Sequence, residues 1–393
     1  MTPAAPSPLP AFGALWFCYF AAIGAFNPYA PLWFKDLGFS TLAIGTIASL
    51  QAWTRVVAPY GWGWLGDHHG HRARVVQVAA GLSMLAAAGL LAARGFGAVA
   101  ACIVLLYLAN GGVMPLSEAT LARHLSRGGA LDAGRYGRVR VWGSIGFIVA
   151  VLVFGLGLER AGIGWFPWLA AAMWALLLVV ALRLPEAGDA AGASGQTTSA
   201  IAVLRQPAVA WFFASIFFTV LAHTALYAFF SLHLDASGFG KTTVGLLWAV
   251  SVAAEIVFFW FQGRLFGRLD PHAWLQWAAA GAVLRFVLTA LFGTSLVVLV
   301  VAQAMHALTF AAQHAACIAL VTRHFPGALR TRGQALYSVL GYGLSGVIGG
   351  VGGGWLSLRW GYAAVFGAAA VAAAVGWFCA TRARRLYGAA GLH

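Results

Sequence analysis

The chain has 393 residues, of which 61% are hydrophobic and only 9% are charged, with a mean hydropathy of +0.83. Soluble domains average about 25% charged residues, so this composition excludes a soluble enzyme, a disordered scaffold and a small disulfide-stabilised protein. The formal net charge of +14 does not indicate a nucleic-acid partner, because phosphate binding needs a solvated basic face and these basic residues lie between apolar segments.

Apolar segments long enough to cross a bilayer recur along the whole chain. A transmembrane helix needs about 20 apolar residues, and clusters of charged or turn-forming residues separate the candidates. The pattern predicts twelve spans, near 11–34, 41–65, 75–93, 97–121, 139–158, 164–183, 207–231, 242–262, 272–292, 295–321, 333–357 and 361–381. We interpret the glycine-rich run 341–354 as a surface for close helix packing. It does not fit a phosphate-binding loop, because such a loop follows a strand and no strand precedes this run.

The loops between these spans differ strongly in positive charge. With the N-terminus in the cytoplasm, 17 Lys and Arg residues lie on the cytoplasmic side and five on the other side. Positive residues concentrate on the cytoplasmic side of membrane proteins, so we predict that both termini are cytoplasmic. Residues 1–10 contain no basic residue, so no cleaved signal peptide is expected.

A polar segment at 184–206, rich in Ala, Gly, Ser and Thr, divides the predicted helices six to six. The sequence also repeats itself weakly at an offset of 200 residues, with these pairs: Gly38-Phe39 and Gly238-Phe239, Gly45 and Gly245, and Arg123-His124 and Arg323-His324. We therefore predict an all-α polytopic membrane protein with two pseudo-symmetric six-helix bundles, at 1–183 and 207–393, joined by a cytoplasmic linker. Parallel repeats of this kind are typical of secondary transporters.

The segment 63–75, GWLGDHHGHRARV, lies between the second and third predicted helices. It resembles the loop signature of the major facilitator superfamily, G-x-L-x-D-x-x-G-x-[RK]-x-[RK]. A glycine lets two helices cross closely, and an aspartate at a helix end can accept hydrogen bonds from the N-terminus of a neighbouring helix. We interpret five of its positions as a conformational latch, with a short charged turn as the alternative: Gly63, Asp67, Gly70, Arg72 and Arg74.

Further segments narrow the resemblance to one branch of that superfamily. The stretches 115–147, 252–266, 284–286 and 305–316 look like the phenylpropionate permeases, which are related to the lactose permeases. This resemblance covers nearly the whole chain. It implies the major facilitator fold and a proton-coupled symporter of the bacterial cytoplasmic (inner) membrane, and it leaves the substrate open.

Ionisable residues inside a bilayer cost about 2.5–3.5 kcal/mol each, so every one within the spans is a functional candidate. By the resemblance to lactose permeases, Glu118, Arg140 and the aromatic Phe147 match positions that bind the sugar. An aromatic ring and a guanidinium equally suit an aromatic carboxylate, through stacking and paired hydrogen bonds. Arg140 has the alternative of belonging to the cytoplasmic charge cluster. Arg55 and His314 are further candidates for contact with the substrate, and Arg55 has the alternatives of pairing with Glu118 or of gating.

Three residues of the second half are candidates for proton coupling. Arg285 and His306 match residues that couple protons in lactose permeases, again by the resemblance. The glutamate expected one turn after that histidine is Thr309, so the coupling carboxylate has to lie elsewhere, and Glu255 is the only one in the predicted spans of this half. Burial favours the protonated form of a carboxyl group, whereas a nearby arginine favours the ionised form. A contact between Glu255 and Arg285 that forms and breaks would therefore couple protonation to conformation. The histidines, among them His223, have the alternative of being satisfied core residues.

These observations predict a secondary active transporter that imports a small organic solute, an aromatic or other monocarboxylate, by proton symport through alternating access. A sugar or nucleoside proton symporter, or a drug or metabolite efflux antiporter, is the alternative. The expected partners are the small-molecule substrate, protons and the lipid bilayer. We expect no nucleic acid, no cofactor, no metal and no enzymatic activity, since no H-E-x-x-H or catalytic-triad pattern occurs, and a monomeric protein.

Overall fold

A computed structural model of the chain describes residues 8–127, 130–186 and 200–389. Helices dominate these residues. Their bounds are α1 Leu9–Phe26, α2 Ala30–Asp36, α3 Thr41–His69, α4 Arg72–Gly89, α5 Phe96–Asn110, α6 Val113–Leu125, α7 Ala133–Ala161, α8 Phe166–Ala181, α9 Ala200–Leu204, α10 Pro207–Ala236, α11 Lys241–Phe266, α12 Pro271–Phe292, α13 Leu296–Ala304, α14 Gln313–His324, α15 Arg330–Leu336 and α16 Ser345–Ala389. Two-residue strands β1 (Ser126–Arg127) and β2 (Ala130–Leu131) pair antiparallel, and Ala307–Ala312 and Tyr337–Leu344 are π-helical.

Long apolar helices account for the predicted spans. Among the described residues, nine helical stretches are long and apolar enough to cross a membrane. One of them, Arg330–Gly388, has 59 residues and breaks at Gly361, where φ is 77° and ψ is 179°, so it holds two helices. The less apolar α3 and α4, of 29 and 18 residues, complete the twelve long helices that the sequence predicts.

The chain separates into two compact units. The first comprises Met1–Leu37 and Thr54–Gly192, and the second comprises Gly38–Trp53 and Ala193–His393. The N-terminal part of α3 therefore groups with the second unit and its remainder with the first. Most of the predicted linker, at 187–199, lies outside the described residues, and the division of the chain at 184–206 stays a prediction.

In the first unit, small residues bring α1 and α7 into close contact. A Cβ atom added to Gly146 would overlap the backbone of Phe17, and one added to Gly24 would overlap the backbone of Phe147. The hydroxyl of Tyr29, just after α1, donates to the α7 backbone at the carbonyl oxygen of Val151, 2.5 Å away. Close approach of this kind is typical of helices packed in lipid, and it sets the positions of the site residues on α7.

In the second unit, the predicted packing role of the glycine-rich run is confirmed. A Cβ atom at Gly349 would overlap Thr224 of α10, and one at Gly350 would overlap the backbone of Gly45 in the N-terminal part of α3. The hydroxyl of Ser49 donates to the carbonyl oxygen of Val347 at 2.7 Å. The close approach of α10 and of α3 to α16 therefore depends on the absence of side chains at Gly349 and Gly350.

The internal repeat is visible in local conformation. Gly38 and Gly238 end equivalent helical segments with φ values of 84° and 83°, in the left-handed region that favours glycine. The Arg-His pairs lie in the last turn of α6 and of α14: Arg123-His124 and Arg323-His324. The weak repeat in the sequence therefore corresponds to a repeat in local structure.

Candidate functional site

A chain of polar contacts in the second unit centres on Arg285, which lies within α12 and is 1% exposed. Its Nη1 donates to Nδ1 of His306 at 2.7 Å and to Oγ1 of Thr309 at 2.9 Å, and its Nη2 donates to Oε1 of Gln303 at 3.0 Å. On the other side of the imidazole, Nε2 of His306 lies 3.0 Å from Oε1 of Glu255 on α11. We call Arg285, His306 and Glu255 the charge relay.

The hydrogen-bond directions within the charge relay follow from the chemistry of arginine. A guanidinium only donates, so Nδ1 of His306 accepts from Arg285. In the neutral ring the proton is then on Nε2, which donates to Glu255. The imidazole therefore lies between the two opposite charges, and the predicted Glu255–Arg285 interaction passes through His306. Glu255, 18% exposed, is the most accessible end of the charge relay, since His306 is 3% exposed.

The helix that carries His306 changes its winding at this point. His306 directly precedes the π-helical segment Ala307–Ala312, and such segments often occur at functional sites. The rings of His306 and Phe310 stack with centroids 4.9 Å apart, and those of Phe310 and His314 with centroids 6.1 Å apart. The expectation that His306 and His314 share one face of the helix is confirmed.

A small open-sided cavity lies beside this stack in the second unit. The polar and aromatic side chains that line it are His223, Tyr227, Phe310, Gln313, His314 and Tyr342. Nδ1 of His314 lies 3.1 Å from the hydroxyl of Tyr337, which lies 3.2 Å from the hydroxyl of Tyr342. The cavity and the charge relay are neighbours, because the ring centroids of His223 and His306 are 6.1 Å apart.

In the first unit, Glu118 and Arg140 meet the same tyrosine. Glu118 on α6 accepts a short hydrogen bond from the hydroxyl of Tyr136 on α7, and Tyr136 interacts electrostatically with Arg140 one turn further along. The Arg140 guanidinium lies over the ring of Phe20 on α1, 4.7 Å from its centroid. Phe147, the predicted stacking residue, packs against α1, so the ring beside Arg140 is that of Phe20.

Arg55 belongs to a different group of polar residues. It is exposed on α3 and interacts electrostatically with Tyr19 and Tyr107. The hydroxyl of Tyr107 donates to Oδ1 of Asn27 at 2.6 Å, and Nδ2 of Asn110 donates to the hydroxyl of Tyr19 at 3.4 Å. Arg55 therefore lies near two tyrosine hydroxyls of the first unit, each of which is hydrogen-bonded to an asparagine side chain.

The predicted latch is built differently from the expectation. A Cβ atom at Gly63 would meet no neighbouring atom of the described residues, so no close helix approach depends on Gly63 in this structure. Gly66 has that role, because a Cβ atom there would overlap the side chain of Leu116. Gly70 has a φ of 68° and makes the turn between α3 and α4. The side chain of Asp67 lies outside the described part of the chain.

A carboxylate does accept hydrogen bonds from a helix N-terminus at this loop, but it belongs to Glu186. Two backbone amides in the first turn of α4, those of Ala73 and Arg74, donate to the two oxygens of Glu186 at 3.2 and 3.1 Å. Arg72 and Arg74, two of the predicted latch residues, lie in this first turn of α4. A carboxylate is favourable there because the helix dipole is positive at its N-terminus.

Sequence reasoning missed several of these residues, among them Tyr136, Gln303 and Glu186. Gln303 carried a signal, since it is a lone amide in an apolar run, LVVLVVAQA. Tyr136 and Glu186 carried none, because tyrosines and glutamates are ordinary at span ends. Within 8–127, 130–186 and 200–389, no group of three or more His, Cys, Asp or Glu side chains is arranged to hold a metal ion.

Comparisons with known proteins find a matching family and relatives along most of the chain. The MFS_1-like family matches residues 11–368. The probable 3-phenylpropionic acid transporter of Escherichia coli (strain K12) is 27% identical over 346 residues, which is 84% of this chain and 86% of that relative. The maltose permease of Geobacillus stearothermophilus is 28% identical over 377 residues, 90% of this chain and 89% of that protein.

Solved structures share the fold. The crystal structure of a variant of the nucleoside transporter NupG covers 96% of this chain and 100% of its own, with a TM-score of 0.85 and 19% identity. A bacterial homologue of the human lysosomal transporter Spinster, in an inward-facing and unoccupied conformation, covers 96% of this chain and 97% of its own, with a TM-score of 0.73 and 15% identity. At these identities the likeness extends to the fold alone.

Proposed function

The chain belongs to the MFS_1-like family of major facilitator transporters, and on that premise we propose that it is a proton symporter that imports a small aromatic or other monocarboxylate by alternating access. The charge relay is the observation that carries this proposal, because it connects a partly exposed carboxylate to a buried guanidinium through one imidazole.

Proton binding at Glu255 provides the coupling in this proposal. With Glu255 ionised, the opposite charges of Glu255 and Arg285 balance across His306. A proton on Glu255 removes that balance and leaves Arg285 as a buried charge without an anionic partner, which is costly. The negative charge of an anionic solute offsets this uncompensated positive charge, so proton and anion binding favour each other.

The substrate class rests on the residues around Tyr136. The Arg140 guanidinium can hold a carboxylate with two parallel hydrogen bonds, and Phe20 lies against it with an aromatic face. The relative whose name includes 3-phenylpropionic acid is 27% identical to this chain and supports an aromatic acid. We propose Glu118, Arg140, Phe147, Arg55 and His314 as the residues that contact the solute.

A sugar or nucleoside proton symporter is the second candidate. The maltose permease relative favours it. Glu118 favours it as well, since a carboxylate that already accepts a hydrogen bond from one hydroxyl suits a hydroxyl-bearing solute. For either substrate class we propose a location in a bacterial cytoplasmic membrane with both termini cytoplasmic, and a latch formed by Gly63, Asp67, Gly70, Arg72 and Arg74 that releases as the transporter changes conformation.

Proton movement in proteoliposomes tests the proposal. We expect addition of 3-phenylpropionate to make the medium outside the vesicles more alkaline, and Glu255→Gln to abolish this change. Glu159→Gln, in the same type of apolar helix but away from the charge relay, is the matched control and should retain it. Protein-free vesicles correct for passive entry of the undissociated acid.

The other outcomes decide between the alternatives. Uptake of solute without proton flux would mean facilitated diffusion and would end the proton assignments. External acidification would indicate an antiporter. Proton flux only with sugars or nucleosides would replace the aromatic acid by the second candidate class.

A further inference from the structure

We propose that the cavity of the second unit binds a hydrogen-bond-donating group of the transported solute, a hydroxyl or a ring N–H, with Nε2 of His223 as the acceptor. The inference rests on the proposed function in one respect, that a transported solute reaches this cavity. It deepens that function by naming a chemical feature of the solute.

The hydrogen bonding of His223 leaves one ring nitrogen unused. His223 lies on α10 and is 3% exposed, and its Nδ1 is 2.8 Å from the carbonyl oxygen of Thr219. A carbonyl oxygen only accepts, so Nδ1 carries the proton and, in the neutral ring, Nε2 has a free lone pair. That Nε2 is buried and has no hydrogen-bond partner among the described residues.

A buried acceptor without a partner is rare in folded proteins and calls for a cause. The next buried histidine along α10 makes the contrast, since Nε2 of His233 lies 3.1 Å from the carbonyl oxygen of Gly293. His223 differs from His233 in lining a cavity. Its free lone pair therefore points to a ligand group in that cavity.

The surroundings of His223 select the kind of group. Phe286 lies edge-on to the imidazole at a centroid distance of 5.3 Å, and the ring of Tyr227 is 6.3 Å away. Phe310 and Tyr342 add further aromatic surface to the cavity. Aromatic walls suit a planar ring, and a lone acceptor suits a donor on that ring.

The same acceptor argues against a carboxylate at this position. A carboxylate oxygen also only accepts, so it would face the lone pair of Nε2 with no proton between them. An acid would therefore place its ring substituent, and not its carboxylate, beside His223. The predicted solute thus carries a donor at the end away from its acid group.

Binding of matched ligand pairs to the purified full-length protein tests this inference. The pairs differ by one donor: the hydroxyphenylpropionates against their methoxy ethers, and uridine against its N3-methyl derivative. We expect the donor-bearing member of at least one pair to bind about three- to tenfold more tightly, the effect of one hydrogen bond. A preference confined to the phenols or to uridine identifies the donor as O–H or N–H.

Substitutions then connect the preference to His223. His223→Phe keeps a ring but removes the acceptor and should equalise the two affinities within the preferred pair. His223→Gln places an amide oxygen near the position of Nε2 and should retain the preference. His233→Gln is the control for loss of a buried histidine on the same helix and should also retain it. Thermal melting of each variant verifies folding.

The outcomes separate this inference from the proposed function. Aromatic acids that bind to the unmodified protein equally with and without the donor would overturn the inference and leave the symporter standing. A donor preference seen only with uridine and lost in His223→Phe would support the inference and end the aromatic-acid proposal. A preference that persists in His223→Phe, or no binding of any pair, would overturn the inference.

Discussion

Arg285 is held by neutral acceptors in a place where the lactose permeases, by resemblance, would offer a glutamate. Thr309 and Gln303 each take one N–H of its guanidinium, and Nδ1 of His306 takes another. Its negative counterpart, Glu255, lies on the far side of the imidazole, 3.0 Å from Nε2 of His306. At the position where the resemblance implies a glutamate, this chain has Thr309. Arg285 is instead stabilised by hydrogen bonds to neutral groups and by the charge of Glu255 beyond His306.

Replacement of Arg140 by lysine tests its proposed role in binding the carboxylate of the solute. Arg140→Lys keeps the positive charge but loses the planar fork that binds both carboxylate oxygens, so we expect uptake of an aromatic acid to fall by about tenfold or more, the loss of one charge-assisted hydrogen bond. Radiolabelled uptake at low substrate concentration measures it.

The matched control for that substitution is Arg138→Lys, because Arg138 is exposed on the same helix two residues earlier. Uptake in this variant should stay near that of the unmodified protein. Normal uptake in Arg140→Lys, at equal amounts of protein in the membrane, would remove Arg140 from the binding site.

At the scale of elements, glycines decide how close the helices come. On α7, Gly146 lies against the backbone of Phe17 on α1. A Cβ atom at Gly157, on the same helix, would meet no atom of the described residues. The same helix therefore holds one glycine that packing requires and one that it does not.

We expect Gly146→Ala to lower the free energy of unfolding by about 1–3 kcal/mol, because the added methyl overlaps a backbone that cannot move alone. Gly157→Ala should cause no loss, since alanine favours the helix by up to about 1 kcal/mol. Thermal melting of the two purified variants, followed by tryptophan fluorescence, compares them. Equal melting temperatures would contradict the packing assigned to α1 and α7.

At the scale of the whole molecule, the distribution of positive charge predicts the orientation in the membrane. The loop between α4 and α5 contains one arginine, Arg94, whereas the segment from Arg123 to Arg140 contains five. With 17 basic residues on one side and five on the other, the positive-inside tendency predicts that the α6–α7 connection is cytoplasmic.

Cysteine labelling in intact cells measures this orientation. A membrane-impermeant maleimide should label Gly95→Cys directly and Ser126→Cys only after permeabilisation, since both positions are exposed. The half-buried Cys102 is replaced by serine in both variants, and the other native cysteines are buried. Labelling of Ser126→Cys before permeabilisation would reverse the predicted topology.

The number of long helices, the internal repeat and the family signature were all readable along the chain. Hydropathy is a sum over neighbouring residues, so a span reveals itself locally. The same holds for Gly38 and Gly238, where a repeated motif marks a repeated left-handed turn. The candidates Arg285, His306 and Glu255 were also identifiable, because charge within an apolar span is conspicuous.

The partners of those residues depended on tertiary packing. Gln303 and Arg285 are 18 residues apart in sequence, as are Glu118 and Tyr136, and Glu186 lies 113 residues from Ala73. Such pairs form only when helices take particular rotations about their axes and particular separations, which periodicity does not specify. For the same reason the sequence did not distinguish Gly66, where packing against Leu116 leaves no room for a side chain.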